Sequence, residues 1–426
     1  MKTRITPLLV LLAGLLIAPM PACAEETLSA LLARVLPLDP QVRVQIGLVA
    51  AAEQRVVQAR SRFLPELQLE LNRGKANSDS LGLPIDRSTN RAQASLGQNL
   101  YNGGRDRAEL EAVQLEVDAA RQDLEHARAE ATERIAAAYL DLLRFSALQD
   151  AVEERLRKAR TVLARFAEQH KAGKVSDADY IEASSVGTEA ELELEDIRAS
   201  ALQARAKLLR LIGEPKLEVI AWPDAQLRAS QPDRLAADAL PAQTLAARLR
   251  AYAAQARVPP AWSVVTPRVD LRYDRALYDH TSPALTDQLN KGWAIAVRWS
   301  FPLGSETVSR VSESQRRAEA ALAEAERIQL GVMSELAGLP DRIASSERSA
   351  QLLRQRLDQF AQLLPATELQ YEAGRRSLTQ LGQMYEQRFA VQRRAIEQQQ
   401  QLRSLHLHLL GLSGGLLQAL GLDAAR

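Results

Sequence analysis

Trp293-Ala294-Ile295-Ala296-Val297-Arg298-Trp299-Ser300-Phe301 alternates large apolar side chains with small or polar ones. A strand turns successive side chains to opposite faces, so this stretch has one apolar and one polar row. Val269, Leu271 and Tyr273 do the same against Arg268, Asp270, Arg272 and Asp274 just before it. Two further runs lie early in the chain. Leu67, Leu69 and Leu71 alternate with Glu66, Gln68, Glu70 and Asn72, and Ala92, Ala94 and Leu96 alternate more loosely with Gln93, Ser95 and Gln98. Strands are predicted at about 64–73, 91–101, 267–275 and 292–301.

Alternation alone fits a half-buried soluble sheet. Three features favour lipid instead. The segments have about ten residues, the length a tilted strand needs to cross a bilayer. Trp293 and Trp299 lie near the ends of the apolar row, where interfacial aromatics sit. The segments 74–90 and 275–291 are both 17 residues long and carry Ser, Asn, Asp and Pro, as extracellular loops do.

Outward from the strands the chain reads as helix. Arg105 to Ala172 contains no Gly or Pro. Val113, Val117, Ala120, Leu124, Ala127 and Ala131 recur at alternating four- and three-residue spacing, one apolar stripe of a helix. At about 1.5 Å per residue such a helix approaches 100 Å. Gly173 ends it, Ser176 is a cap with Asp179 three residues on, and Asp177 to Ile212 returns. A hairpin this long cannot bury its stripe within one globule, so it must pack against copies of itself or a partner. In the second long helix, Gly331, Gly338, Pro340 and Pro365 predict a kink or a division.

The pattern occurs twice. Pro65, Leu100, Gly173 and Gly213 find counterparts at Pro267, Leu303, Gly374 and Gly414, at offsets of 201 to 203. This is a tandem duplication with repeats at 25–213 (hairpin 105–212) and 246–414 (hairpin 305–412). A linker at 214–245 joins them and a tail at 415–426 follows.

Composition agrees. The 426 residues include 54 basic and 53 acidic side chains, a net charge of +1 that argues against nucleic-acid binding. Apolar residues at 46% argue against disorder, and aromatics at 4% amid Ala, Leu, Glu, Arg and Gln suit long helices. Lys2, Arg4 and the apolar run Leu8–Ala18 read as a secretory signal peptide spanning 1–24. The single cysteine, Cys23, has two readings: removed by cleavage after Ala24, or lipidated after cleavage at Ala22. No later stretch is long and apolar enough for a transmembrane helix.

These features together resemble the TolC-type outer-membrane factor family. The resemblance covers essentially the whole mature chain. Its marks are Leu100-Tyr101-Asn102-Gly103-Gly104, Trp299-Ser300-Phe301-Pro302-Leu303 and the tips at Gly173 and Gly374. It implies a mainly α fold with a β-barrel part. Long antiparallel helical hairpins form a periplasmic α-barrel, and four strands from each chain of a homotrimer close one twelve-stranded barrel in outer-membrane lipid. Open strand edges in hydrocarbon demand some such closure. The segments near 214–245 and after Gly414 become an irregular equatorial girdle.

The implied function is a passive exit duct for tripartite efflux or type I secretion in the outer membrane of a Gram-negative cell. Its partners are an inner-membrane pump of RND or ABC type and a periplasmic adaptor, or membrane fusion protein. The adaptor docks at the tips, here Gly173, Lys174, Val175, Ser176, Gly374, Arg375 and Ser377. In the family's type member a Tyr and an Arg of the second tip bond an Asp of the first and close the mouth. The matching residues are Tyr371, Arg376 and Asp179. Two constriction Asp positions hold Gln380 and Gln383, a departure that removes the anionic ring. Trp293, Trp299 and Phe301 become membrane-interface aromatics. The rival reading is a periplasmic coiled-coil adaptor or scaffold without a barrel, in which the Trp293–Phe301 row packs into a soluble sandwich.

Nothing points to an enzyme or a cofactor. There is no Walker loop, G-x-S-x-G elbow or H-E-x-x-H motif. Gly103-Gly104 reads as a strand-to-helix turn. His406 and His408 are two apart, so they are read as helix surface rather than as a metal pair. His170 is read as a solvated tip histidine and Gln398 to Gln401 as helix surface.

Overall fold

The computed structural model describes residues 27–80, 83–213, 222–224, 227, 240–279, 291–301 and 305–422. The signal segment and Cys23 lie outside the described residues, as does most of 214–239.

Both halves run helix, strand, strand, long helix and returning helix, and among the described residues the first half carries one short helix more. In the first, α1 (Leu28–Val35) and α2 (Pro40–Ser61) lead into β1 (Glu66–Ser80), β2 (Leu83–Asn102), α3 (Arg105–Lys171) and α4 (Asp177–Ile212). In the second, α5 (Ala242–Ala256) leads into β3 (Arg268–Asp279), β4 (Lys291–Arg298), α6 (Glu306–Glu372) and α7 (Leu378–Ser413). Both long helices have 67 residues and both returning helices 36. At about 1.5 Å per residue, α4 and α7 cover only half of α3 and α6. Much of the rest is covered by α2 and α5, which pack on the long helices.

The strands form one antiparallel sheet in the order β1-β2-β3-β4. The segment 74–90, expected as a loop, is instead a continuation of the hairpin: Gly74 pairs with Thr89, and pairing runs on to Ser80 with Leu83. Polar residues obscured the strand signal because they leave no alternating apolar row to mark it. Likewise β3 runs on to Asp279 and β4 begins at Lys291, while residues 280–290 of the expected second loop lie outside the described residues. β4 ends at Arg298, so Trp299 and Phe301 follow the strand rather than belong to it.

The long helices are continuous. α6 passes through Pro340 and Pro365 without a break, contrary to the expected division. Leu336, Leu339 and Ile343 flank Pro340 and pack with Leu402, Leu405 and Leu409 of α7. That apolar seam holds the helix together across the missing donor. After Gly414 the chain is not irregular. Leu416–Ala419 forms a short helix, α8, and Leu416 and Leu420 are buried.

The largest core sits where α1 and α8 meet the middle of α3. It holds Leu31, Leu32, Ile135, Tyr139, Leu208, Leu407 and Leu410, with Trp222 stacked on Tyr139 at 6.4 Å. α4 and α6 instead carry exposed apolar side chains: Ile181, Leu192 and Leu202 on α4, and Leu330, Leu352, Leu363 and Leu369 on α6. A single chain leaves these unburied. Among the described residues no helix is long and apolar enough to cross a membrane, which says nothing of the sheet.

Candidate functional site: an apolar sheet and two helical tips

The sheet presents its apolar residues in rows across all four strands. Leu67 pairs with Leu96, Leu96 with Tyr273 and Tyr273 with Trp293. Directly opposed residues of an antiparallel pair share a face. A second row runs Tyr101, Val269, Val297, reached because a bulge between Asn99 and Tyr101 rotates Tyr101 onto this face. That bulge and another between Ala92 and Gln93 explain the loose alternation of β2. Every residue of β4 is exposed, and Trp293, Trp299 and Phe301 are 74%, 59% and 66% exposed. Exposed apolar surface this continuous marks contact with lipid or a partner. The other face is polar, with Gln68, Ser95 and Asp274 in register and Gln93 Nε2 donating to Asp274 Oδ1 at 3.2 Å. β1 and β4 are open edges.

The sheet joins the helices through a tight turn. Gly103 and Gly104 have φ of +72° and +78°, as the strand-to-helix reading requires. A Cβ on Gly103 would stand 1.9 Å from Thr266 Oγ1, so the turn of one half packs directly on the other. Asp106, in the first turn of α3, is buried and accepts from Asn99 Nδ2 at 2.9 Å.

At the opposite end the two tips are built alike. Gly173 and Gly374 take φ of +66° and +70°. Lys174 N–H donates to Gln169 O, and Arg375 N–H donates to Gln370 O, both at 2.9 Å. Each is the closing bond of a Schellman motif. Ser176 then caps α4, accepting from Asp179 N–H at 3.2 Å, and Ser377 caps α7, accepting from Gln380 N–H at 3.2 Å. Gln380 Oε1 accepts from Ser377 N–H in return, a full capping box. Gly173, Lys174, Ser176, Gly374, Arg375 and Ser377 are exposed, while Val175 tucks partly against the core beneath.

That core, Val162, Phe166, Leu378 and Leu381, holds the tips side by side. Gln169 Nε2 donates to the Tyr371 hydroxyl oxygen at 3.3 Å, and the Arg165 guanidinium lies 5.2 Å from the Tyr371 ring centre. So Tyr371 of the second tip is brought to the first. Asp179 and Arg376 are not brought together within one chain: Asp179 Oδ2 accepts from Ser176 Oγ at 2.7 Å instead. Gln380 and Gln383 are exposed near the start of α7. His170 is tied down, stacked on Tyr180 at 5.1 Å with Nε2 2.5 Å from Asp177 Oδ1.

Sequence reading missed the ionic ties higher up. Arg155 of α3 is nearly buried and bonds Glu193 of α4 at 2.6 Å and Glu386 of α7 at 2.7 Å. Burial opposes its charge, but the carboxylates outweigh burial and raise its pKa further. Tyr385 donates to Glu368, which also faces Lys158, and Glu368 is held below the usual carboxylate range chiefly by that hydroxyl. The helix-surface reading of the paired histidines is corrected. His406 is only 3% exposed, and His408 joins carboxylates on two other helices. Their two-residue spacing turns them to different neighbours, and spacing alone shows neither. Among the described residues no cluster of three His, Cys, Asp or Glu could hold a metal.

Residues 31–214 match the family model described as outer membrane efflux protein. The chain as a whole has the fold of solved outer-membrane channels. It superposes on VceC from Vibrio cholerae with a TM-score of 0.76 at 21% identity, covering 92% of this chain and 96% of that one. CmeC from Campylobacter jejuni gives 0.76 at 12% identity, covering 91% and 86%. The open-state MtrE channel of Neisseria gonorrhoeae gives 0.71 at 17%, covering 91% and 89%. No curated protein sequence matches the chain. The efflux-protein match covers the first half's strands and hairpin, and the second half repeats them in structure.

Proposed function

We propose that this protein is the exit duct of a tripartite efflux pump, a channel rather than an enzyme, seated in the cell outer membrane of a Gram-negative bacterium. A homotrimer would pool three four-stranded sheets into one twelve-stranded barrel, and the helices would continue the passage through the periplasm. The observation that carries this is the apolar face running unbroken from Leu67 through Leu96 and Tyr273 to Trp293, exposed and bounded by two open edges. In lipid an open edge leaves backbone groups unpaired at several kcal/mol each, so closure by further copies is required. The unburied apolar residues of α4 and α6 supply a matching interface along the helices. The adaptor reading would need a second sheet over the Trp293 row, and the described residues form one sheet only.

The tips are the proposed gate and adaptor-docking surface. Tyr371 already stands against the first tip. Arg376 of one chain would reach Asp179 of a neighbour, a charge-assisted bond that an arriving adaptor and pump can break. Gln380 and Gln383 would line the narrowest part. The same duct would serve type I secretion equally, and a pump of either RND or ABC type would require no change to these residues. Membrane fractionation and planar-bilayer recording test the reading together: outer-membrane recovery with discrete channels supports it, and recovery in the soluble periplasmic fraction overturns it.

A further inference from the structure

Above the tips, α3, α4 and α7 enclose a cleft of about 380 Å³. We infer that this cleft binds an organic cation with an apolar body. Its walls include Val162, Phe166 and Ala183, and its rim carries Asp179, Glu182 and Glu386, with no Lys, Arg or His among the lining residues. Glu386 is paired from behind with Arg155, which it shares with Glu193, whereas Asp179 and Glu182 are exposed on the first turns of α4. The volume lies in the range of small-molecule sites, which are mostly apolar with a few placed polar groups. An anion would be repelled by these carboxylates, and a neutral body would leave them uncompensated. The floor is open because residue 382 is a glycine: a Cβ there would meet only Val162 Cγ1, at 3.8 Å, an ordinary contact. On the gate reading above, an occupant against Asp179 would also compete with Arg376, so the cleft would bias the gate toward opening.

Tetraphenylphosphonium and tetraphenylborate are a matched pair, similar in shape and opposite in charge. Equilibrium dialysis of the purified full-length protein in amphipol, corrected with protein-free amphipol, should show saturable phosphonium binding of one per chain and no saturable borate binding. Gly382→Leu fills the cleft and improves helix propensity, so it should abolish binding without loss of thermal stability. The double substitution Asp179→Asn with Glu182→Gln should weaken binding about tenfold, as two partly screened charges are removed. Equal saturable binding of both ions, or binding unchanged in Gly382→Leu, overturns the inference. Dialysis does not depend on conduction, so a wild-type protein that conducts but does not bind sinks this site alone, and one that binds but forms no channel sinks the duct reading alone.

Discussion

His408 Nδ1 stands 2.7 Å from Glu133 Oε1, tying α7 to α3 midway along the molecule. The other ring nitrogen stands 2.9 Å from Glu335 Oε1 of α6. Both contacts are hydrogen bonds only when the ring carries both protons, because a neutral imidazole has one donor. Gly411 makes room for the arrangement: a Cβ there would stand 2.8 Å from Glu133 Oε2.

Burial alone would lower the His408 pKa, but the bonds to Glu335 and Glu133 outweigh it and raise it above the ordinary imidazole value. A pKa raised by folding stabilises fully below the unfolded value of about 6.5 and is lost as pH rises through the folded one. The melting temperature of wild type should therefore exceed that of His408→Gln most at pH 5 to 6, with the gap narrowing toward pH 9. A gap that does not change with pH would show that the ring is not held as a cation.

Gly103 and Gly104 separate backbone strain from packing. Both have positive φ, so Ala at either costs about 1–2 kcal/mol. Only at Gly103 does the new Cβ also strike Thr266. Gly103→Ala should lower thermal stability and trimer yield clearly more than Gly104→Ala; equal effects would contradict the packed turn.

Asp179→Ala or Arg376→Ala should raise single-channel conductance in planar bilayers, because either removes the proposed closing bond. Conductance like that of wild type would take both residues out of the gate.

Gln380 and Gln383 are neutral amides, and Gln380 is engaged in capping α7. We predict weak cation preference and poor block by trivalent cations, measured as reversal potential under a salt gradient. Gln383→Asp should shift the reversal potential toward cation selectivity; strong selectivity already present in wild type would contradict the account.

The long helices and tips were legible because their signals are local. Gly173 and Gly374 need positive φ, and Ser176 and Ser377 sit where caps sit. The strands were legible where one face is apolar and obscure in 74–90, where the sequence has no alternating apolar row. α2 and α5 left no comparable signal, since α2 has few buried side chains and α5 buries mostly alanines. The contacts of Arg155, His406 and His408 depend on which helices lie alongside, and a single sequence does not state that.

The central claim is that the Trp293 row faces hydrocarbon. The most direct test keeps Trp293 as the only tryptophan, with Trp222, Trp262 and Trp299 changed to Phe, in protein reconstituted into vesicles of brominated lipid. Strong quenching of Trp293 fluorescence relative to unbrominated vesicles is the predicted result. Unquenched emission, from protein that remains in solution without detergent, would contradict it.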